Sequence, residues 1–212
     1  MLSRSDINSR LVTPGIIAVI RARSRAQILP LSEALIAGGI IAIEVTMTTP
    51  EALEAIRDAR KHLGDQALVG VGTVLDADTC RAAMDAGAQF VVTPICRTEF
   101  VALAHAAGRS IMIGAYTPTE AQLAHEAGAD FVKLFPADNL GPGYVKALRA
   151  PLPQLRLVPT GGVDVHNLAD FLRAGCAAVG VGSSLVSKQI LEANDWAQLT
   201  SRAMEFVRAA AW

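Results

Sequence analysis

Ala127-Gly128-Ala129-Asp130-Phe131-Val132-Lys133-Leu134-Phe135-Pro136 joins the end of one predicted helix to a short apolar run. A glycine placed just after a helix can adopt the left-handed conformation that satisfies the last helical carbonyls. The apolar run that follows has the length of a buried strand in a parallel sheet. This stretch therefore predicts a unit made of one helix ending and one buried strand.

The same unit recurs along the chain. Other predicted helix endings centre on glycine: Gly38-Gly39, Gly64, Gly87, Gly108 and Gly175. From Gly64 to Gly128 they are spaced by about 20 to 25 residues, which is the length of one strand plus one helix. Eight apolar runs are predicted as strands: 15–21, 40–44, 67–71, 89–93, 110–114, 131–135, 155–160 and 177–181. Segments between them, such as 50–62 and 119–126, show helical spacing and good helix formers.

Strands that alternate with helices imply parallel pairing with right-handed crossovers. Eight such units in 212 residues predict an α/β fold, a small (β/α)8 TIM barrel. We expect one domain over residues 1–212, with a short helix before the first strand. An open doubly wound sheet is the alternative, but the first strand lacks a glycine-rich nucleotide-binding turn.

Composition excludes several kinds of partner. The formal net charge is −1 with acidic and basic residues well mixed, which argues against nucleic acid and against a membrane-binding face. No apolar run approaches the ~20 residues of a membrane span. Residues 1–10 are mixed and charged, without the apolar core of a signal peptide, so we expect a cytoplasmic protein.

The cysteines and histidines do not indicate a metal site. Cys80, Cys96 and Cys176 are far apart and are predicted to be small buried residues with reduced thiols. The histidines fall on or next to predicted helices and are expected to be solvated: His62, His105, His125 and His166. We therefore expect neither a metal nor another cofactor.

In a barrel of this kind the active site lies at the carboxyl ends of the strands. Polar residues inside or just past those ends are few: Arg21, Glu44, Thr46, Thr73, Thr93, Lys133, Thr160 and Ser183. Lys133 shares one strand face with Phe131 and Phe135. If that face is inward, burial disfavours the ammonium form, and a neutral amine can condense with a ketone. The alternative is a lysine that extends outward between helices.

Glu44 interrupts the apolar run Ile40-Ile41-Ala42-Ile43-Glu44-Val45-Thr46. If Ile43 and Val45 face the helices, Glu44 faces the interior, as Lys133 does. A buried carboxyl group can exchange protons near neutral pH. A structural ion pair with a lysine or arginine is the alternative, and a pair with Lys133 would be compatible with catalysis.

Two glycine-rich turns follow the seventh and eighth predicted strands. They are Pro159-Thr160-Gly161-Gly162-Val163 and Val179-Gly180-Val181-Gly182-Ser183-Ser184. Loops at these two places commonly bind phosphate in barrels, because their bare backbone N–H groups can surround an anion. Arg21 ends the first strand and could bind a carboxylate, or it could be one exposed member of a basic stretch.

Several of these segments together resemble the aldolases of the 2-keto-3-deoxy-6-phosphogluconate (KDPG) and 4-hydroxy-2-oxoglutarate group. The resemblance covers about residues 14–187, in order and without large gaps. Its segments are Ile43-Glu44-Val45-Thr46, Val69-Gly70-Val71-Gly72-Thr73-Val74-Leu75, Thr93-Pro94, Phe131-Val132-Lys133-Leu134-Phe135-Pro136, Pro159-Thr160-Gly161-Gly162-Val163 and Val181-Gly182-Ser183.

The resemblance implies a metal-independent carbon–carbon lyase, in a homotrimer, that cleaves a small keto acid and releases pyruvate. It implies that Lys133 forms the Schiff base and that Glu44 is the general acid/base. Substrate-binding positions would be Arg21, Thr73, Pro94, Phe135 and Thr160, and phosphate-binding positions Gly161, Gly162, Gly182 and Ser183.

Two departures from the family pattern bear on the substrate. Many members carry an arginine after the glutamate that binds the pyruvate carboxylate, and Thr48 stands there in this chain. Other members have an arginine at the end of the first strand instead, where Arg21 stands. Residues 117–151 are similar to the galactonate-specific branch as well as to the gluconate one, whereas Thr160 is similar to the gluconate branch.

We therefore expect an aldolase of the Entner–Doudoroff type acting on KDPG. The same chemistry on 4-hydroxy-2-oxoglutarate or on 2-keto-3-deoxy-6-phosphogalactonate is the first alternative. A sugar-phosphate epimerase or isomerase is more remote, because the members that use a metal need histidine and aspartate ligands at strand ends. A non-catalytic phosphate-binding barrel would have no need of a buried lysine and glutamate together.

Overall fold

A computed structural model describes residues 2–211. Its strands are β1 (Ile16–Ile20), β2 (Ala42–Thr46), β3 (Leu68–Gly72), β4 (Phe90–Val92), β5 (Ser110–Ala115), β6 (Phe131–Leu134), β7 (Leu157–Pro159) and β8 (Val179–Val181). Its helices are α1 (Arg4–Leu11), α2 (Ile28–Ala37), α3 (Ala52–Leu63), α4 (Ala77–Asp85), α5 (Phe100–Ala106), α6 (Pro118–Glu126), α7 (Gly141–Arg149), α8 (Leu168–Arg173), α9 (Lys188–Ala193) and α10 (Trp196–Ala210).

The strands form one parallel sheet in the order β7-β6-β5-β4-β3-β2-β1-β8. The last gap is closed by two contacts: the Ala177 N–H donates to the Leu157 carbonyl at 2.9 Å, and Thr160 pairs with Gly180 as an isolated bridge. Since the first and last strands of the order meet, the sheet is a nearly closed barrel. The (β/α)8 prediction is confirmed, and the open doubly wound sheet is excluded.

The strand boundaries differ from the predicted ones by a few residues. The run 40–44 was expected to be a strand, but β2 begins at Ala42. The Ile40 N–H still donates to the Leu35 carbonyl at 2.9 Å, so it belongs to the ending of α2. At β2, the hydrogen bonds that end the preceding helix therefore decide where the strand starts. At its other end, β6 stops at Leu134, one residue before the predicted end at Phe135.

Inward-facing residues of the strands form two layers with different properties. The layer at the amino ends is large and apolar, with Ile17, Leu68, Phe90, Met112, Phe131 and Val158 in one buried cluster. Ile7 and Leu11 of α1 belong to the same cluster, so the predicted N-terminal helix closes this end of the barrel. At the carboxyl ends the inward positions are smaller: Gly70, Gly72, Gly114 and Gly180. In the described part of the chain, the polar side chains and the cavity beside them lie at the carboxyl end of the barrel.

Helix α1 is attached to the barrel through the carboxylate of Asp130. This side chain is 7% exposed. It accepts hydrogen bonds from Asn8 Nδ2 at 2.7 Å, from the Ile111 N–H at 3.1 Å and from His105 Nε2 at 3.0 Å. The expectation that His105 is a solvated helix residue was therefore wrong, because Asp130 at the start of β6 comes within its reach.

Outward-facing residues of the strands pack under the ring of helices in a second cluster that includes Ile43 and Val45.

Two of the three cysteines, Cys80 and Cys176, are buried, and burial raises the pKa of the Cys176 thiol to about 12. Cys96 is only half-buried, which corrects the expectation of three buried thiols. Across residues 2–211, no helix has both the length and the apolar character needed to cross a membrane.

Candidate active site

Lys133 lies on β6 with its side chain inside the barrel. It pairs in register with Gly114 on one side and Val158 on the other, and only 6% of its side chain is exposed. Its Nζ lies 5.2 Å from the centre of the Phe135 ring. The aromatic face is a favourable neighbour for a cation, which offsets part of the cost of burying the ammonium form.

Glu44 lies on β2 with its side chain inside the barrel, since Ile43 and Val45 belong to the outer cluster. Its side chain is 3% exposed, and its Oε1 is 3.4 Å from Lys133 Nζ. The alternative of a lysine that extends outward between helices is therefore wrong. The ion pair that was the alternative for Glu44 is formed, and its partner is Lys133. A buried amine and a buried carboxyl group at this distance can exchange a proton directly.

One glycine provides the room that the Glu44 carboxylate occupies, and another lets the loop after β4 approach the barrel wall. A Cβ added to Gly72 would overlap the Glu44 carboxylate, and one added to Gly114 would overlap the backbone of Pro94 and Ile95. Any larger residue at position 72 would displace the carboxylate. Glycine at position 72 is thus a condition for the ion pair.

A cavity of about 360 Å³ opens beside the pair at the carboxyl ends of β1, β6, β7 and β8. Seven of the predicted site residues line it: Arg21, Phe135, Thr160, Gly161, Gly162, Gly182 and Ser183. Phe135 connects the cavity to Lys133, because its ring contacts both. The volume falls in the range of ligand sites, about 300–1,000 Å³.

The two glycine-rich turns lie side by side in this cavity. Gly161 and Gly162 have φ of 100° and 66°, which glycine adopts without strain. Thr160 is buried just before them, and a Cβ on Gly180 would overlap its Oγ1. Ser184 donates from Oγ to the Val163 carbonyl at 2.5 Å and so joins the second turn to the first.

Arg21 follows β1 directly and its side chain is exposed. The backbone on either side is held by β2 and by the turn that follows it: Thr46 Oγ1 donates to the Ile20 carbonyl at 2.9 Å, and the Ala22 N–H donates to Thr49 Oγ1 at 3.2 Å. A Cβ on Gly182 would lie 3.9 Å from Arg21 Nη1. The guanidinium therefore lies beside the second glycine-rich turn.

Thr73 and Pro94 follow β3 and β4, on the other side of the barrel mouth, and do not line the cavity. Thr73 has φ of 63°, in the left-handed region that β-branched residues rarely adopt. Such backbone strain costs about 1–3 kcal/mol and is found mostly at functional sites. Thr48, in the place of the family's arginine, shares a hydrogen bond of 2.7 Å with the Thr46 hydroxyl.

Two acidic residues that the sequence did not single out also line the cavity, Asp138 and Asp164. Both are in loops, where acidic residues are common, so their types alone carried no signal. Within residues 2–211, no group of three or more histidine, cysteine or acidic side chains is arranged to hold a metal ion.

Comparisons with known proteins agree with this geometry. A family profile described as "Aldolase: KDPG and KHG aldolase" matches residues 7–202. The chain is 40% identical over 188 residues to the 2-dehydro-3-deoxy-phosphogluconate aldolase of Pseudomonas aeruginosa, with 87% of this chain and 84% of that protein covered. It is 38% identical over 171 residues to the 2-dehydro-3-deoxy-6-phosphogalactonate aldolase of Escherichia coli, with 80% and 83% covered.

Among solved structures, a KDPG aldolase from Legionella pneumophila superposes with a TM-score of 0.86 at 30% identity, with 93% of this chain and 96% of that chain covered. That structure holds pyruvate captured at low pH as a covalent carbinolamine intermediate. The family match spans nearly the whole chain, and the solved relative shares its barrel fold. This chain therefore belongs to the KDPG and KHG aldolase family and is a carbon–carbon lyase.

Proposed function

We propose that the protein cleaves KDPG to pyruvate and glyceraldehyde 3-phosphate through a Schiff base on Lys133. The observation that carries the proposal is the buried contact of 3.4 Å between Lys133 and Glu44, next to a cavity lined by two glycine-rich turns. A lysine amine in a dry site is the nucleophile that condenses with a ketone.

The first half of the reaction forms the covalent intermediate. Glu44 accepts a proton from Lys133, and the free amine adds to the C2 carbonyl of the keto acid. Glu44 then returns the proton to the C2 hydroxyl, which leaves as water and gives an iminium ion. The carbinolamine captured in the Legionella relative is the corresponding adduct of pyruvate, which in the cleavage direction forms when water adds to the pyruvate iminium ion.

The second half breaks the carbon–carbon bond. Removal of the proton of the C4 hydroxyl allows the C3–C4 electrons to move into the iminium ion, so that glyceraldehyde 3-phosphate leaves. Glu44 serves as the base, directly or through one water. It then returns a proton to C3 of the enamine, and water releases pyruvate from Lys133.

Two groups of residues bind the ends of the substrate. The turns at Gly161-Gly162 and Gly182-Ser183 bind the phosphate with their N–H groups, supported by Arg21 beside Gly182. Phe135 and Thr160 line the path from Lys133 to those turns. Thr73 and Pro94, across the barrel mouth, bind the carboxylate end of the keto acid. We therefore assign Arg21 to the phosphate end, because it lies beside Gly182, whereas the resemblance assigned it to the carboxylate.

Three substrates fit this reaction, and they differ in the terminal group or in the configuration at C4. A relative that acts on the galactonate compound is nearly as similar as one that acts on the gluconate compound. Thr160 favours the gluconate compound by resemblance. Rates measured on KDPG, its galactonate epimer and 4-hydroxy-2-oxoglutarate decide among the three.

We also propose that the protein acts as a homotrimer in the cytoplasm. Three large apolar side chains are exposed in the neighbouring loops after β3, β4 and β5: Leu75 at 47%, Ile95 at 44% and Tyr116 at 44%. An apolar patch of this kind is typical of a subunit contact. The three free cysteines suit a reducing compartment. Sedimentation of the purified protein measures the subunit number.

Borohydride trapping tests the Schiff base. The protein is mixed with pyruvate, reduced, and weighed intact and after digestion. We expect one reduced pyruvate per chain on the peptide that contains Lys133, and none in Lys133→Ala. Folded protein without an adduct would refute the proposed function.

A further inference from the structure

The proposed phosphate cavity contains charges of both signs. Arg21 lies on one side, next to Gly182, while two carboxylates, Asp138 and Asp164, also line the cavity. Carboxylates are poor neighbours for a phosphate group, because like charges repel strongly across a partly buried site. The presence of each carboxylate in this cavity therefore needs a physical reason.

Asp164 is explained by its local structure. Its Oδ1 accepts hydrogen bonds from the N–H groups of His166 at 2.8 Å and Asn167 at 3.1 Å. The carboxylate therefore shapes the turn that leads into α8, and part of its charge is neutralised by those donors.

Asp138 has no such role. Its side chain is exposed, and within the part of the chain that the structure describes it forms no hydrogen bond or ion pair. Its backbone is nevertheless held in place, because the neighbouring Ala137 N–H donates to the Thr160 carbonyl at 2.9 Å and the Leu140 N–H donates to the Ala137 carbonyl at 3.0 Å.

The carboxylate of Asp138 lies directly against the first glycine-rich turn. A Cβ on Gly162 would lie 2.9 Å from Asp138 Cα and 3.3 Å from Oδ1, and a Cβ on Gly161 would overlap Oδ2. A phosphate group bound by the N–H groups of this turn would be a few ångströms from that carboxylate. At pH 7 a phosphate monoester carries about −1.5 to −2 charges.

We infer that Asp138 is a specificity-determining residue that weakens the binding of a charged terminal group. Its repulsion opposes the attraction of Arg21, so that the cavity distinguishes less sharply between phosphorylated substrates and substrates that end in a hydroxyl. A terminal hydroxyl group is not repelled by the carboxylate, because the hydroxyl can donate a hydrogen bond to a carboxylate oxygen. The inference rests on the proposed function, and Asp138 is the residue that limits the preference of the enzyme for phosphorylated substrates.

The test uses the aldol reaction in the direction of synthesis, in which pyruvate is joined to glyceraldehyde 3-phosphate or to glyceraldehyde. We expect Asp138→Asn to raise kcat/KM for the phosphorylated aldehyde about three- to tenfold at low salt. The value for glyceraldehyde should stay within about twofold. Asp138→Glu, which keeps the charge, should behave like the natural chain.

A matched control separates the local effect from net charge. Asp78→Asn makes the same change on α4, where the side chain is 98% exposed, and should leave both aldehydes unaffected. The gain of Asp138→Asn should also shrink as salt rises from about 20 mM to about 500 mM, because the Debye length falls several-fold. Loss of a purely structural contact would not show this dependence.

Equal changes for both aldehydes, or a lower rate for the phosphorylated one, would overturn the inference and make Asp138 a support for the turn. A calorimetric titration with inorganic phosphate gives a second test that needs no turnover. Asp138→Asn should bind phosphate more tightly, and unchanged affinity would refute the inference. Pyruvate trapping on Lys133 is judged separately, so failure of the proposed function is distinguishable from failure of this inference.

Discussion

Lys133 Nζ lies 3.4 Å from Glu44 Oε1, although the two residues are 89 positions apart and on strands that are not neighbours. Both side chains project into the barrel from opposite walls at the level where glycines leave room. The contact therefore exists only because the sheet closes. It couples the proposed nucleophile to the proposed proton carrier.

Glu44→Gln should lower kcat by about 10²- to 10⁴-fold, because it keeps the shape of the side chain but removes the proton carrier. Stopped-flow or coupled detection of pyruvate release measures the effect. Pyruvate should still be trapped on Lys133 by borohydride, more slowly. A kcat within about twofold of the natural chain would show that another group moves the protons.

Gly72→Ala should lower kcat by at least about 10²-fold while the fold is retained, because the added methyl group displaces the Glu44 carboxylate. Gly143→Ala on α7 is the matched control, since a Cβ there meets nothing within 4 Å. Circular dichroism and thermal melting check that both variants are folded. An active Gly72→Ala would mean that the position of Glu44 is not critical.

Arg21→Gln should raise KM for glyceraldehyde 3-phosphate about tenfold and change KM for pyruvate by less than about twofold. The reason is that the guanidinium lies beside Gly182 in the proposed phosphate site. Initial rates in the direction of synthesis measure both constants. The opposite pattern, with only pyruvate affected, would place Arg21 at the carboxylate.

Asp130→Ala should lower the free energy of unfolding by about 3 kcal/mol, because it leaves three partly buried donors without an acceptor. For a chain of this size that corresponds to a drop in Tm of about 6–12 °C. The specific activity at 20 °C should change little, since the cluster lies at the closed end of the barrel. Asp78→Asn serves as the exposed control, and equal melting curves for the two variants would contradict the prediction.

Alkylation should distinguish the cysteines. Because burial raises the pKa of Cys176 to about 12, its reactive thiolate form is scarce until the pH approaches that value. At pH 8.5 iodoacetamide should modify the half-buried Cys96 first and Cys176 only after unfolding in urea. Peptide mapping by mass spectrometry gives the order. Equal labelling of Cys96 and Cys176 in the native protein would show that this part of the barrel opens readily.

Stability has a related dependence on pH. A thiol whose pKa is higher in the folded than in the unfolded chain stabilises the fold at neutral pH, and this contribution is lost as the pH rises toward the folded value. The natural chain should therefore lose stability above pH ~9 more steeply than Cys176→Ala, as denaturant titrations at several pH values would show.

The residues of the sequence determined the fold class and the chemical types of the site. Glycine at each helix ending and a short apolar run after it are local signals, because both depend on neighbours in the chain. They were enough to count eight strands and to recognise Lys133 and Glu44 as polar residues that interrupt apolar runs. Family resemblance then supplied the roles proposed for them.

Only the tertiary structure decided which of these residues meet. No local pattern shows that Gly72 leaves room for Glu44, that Arg21 lies beside Gly182, or that Asp138 contacts the turn at Gly161. Nor could the sequence place His105 against Asp130. These contacts join segments that are distant in the chain, and their distances follow from the closure, tilt and register of the barrel, which the whole chain determines.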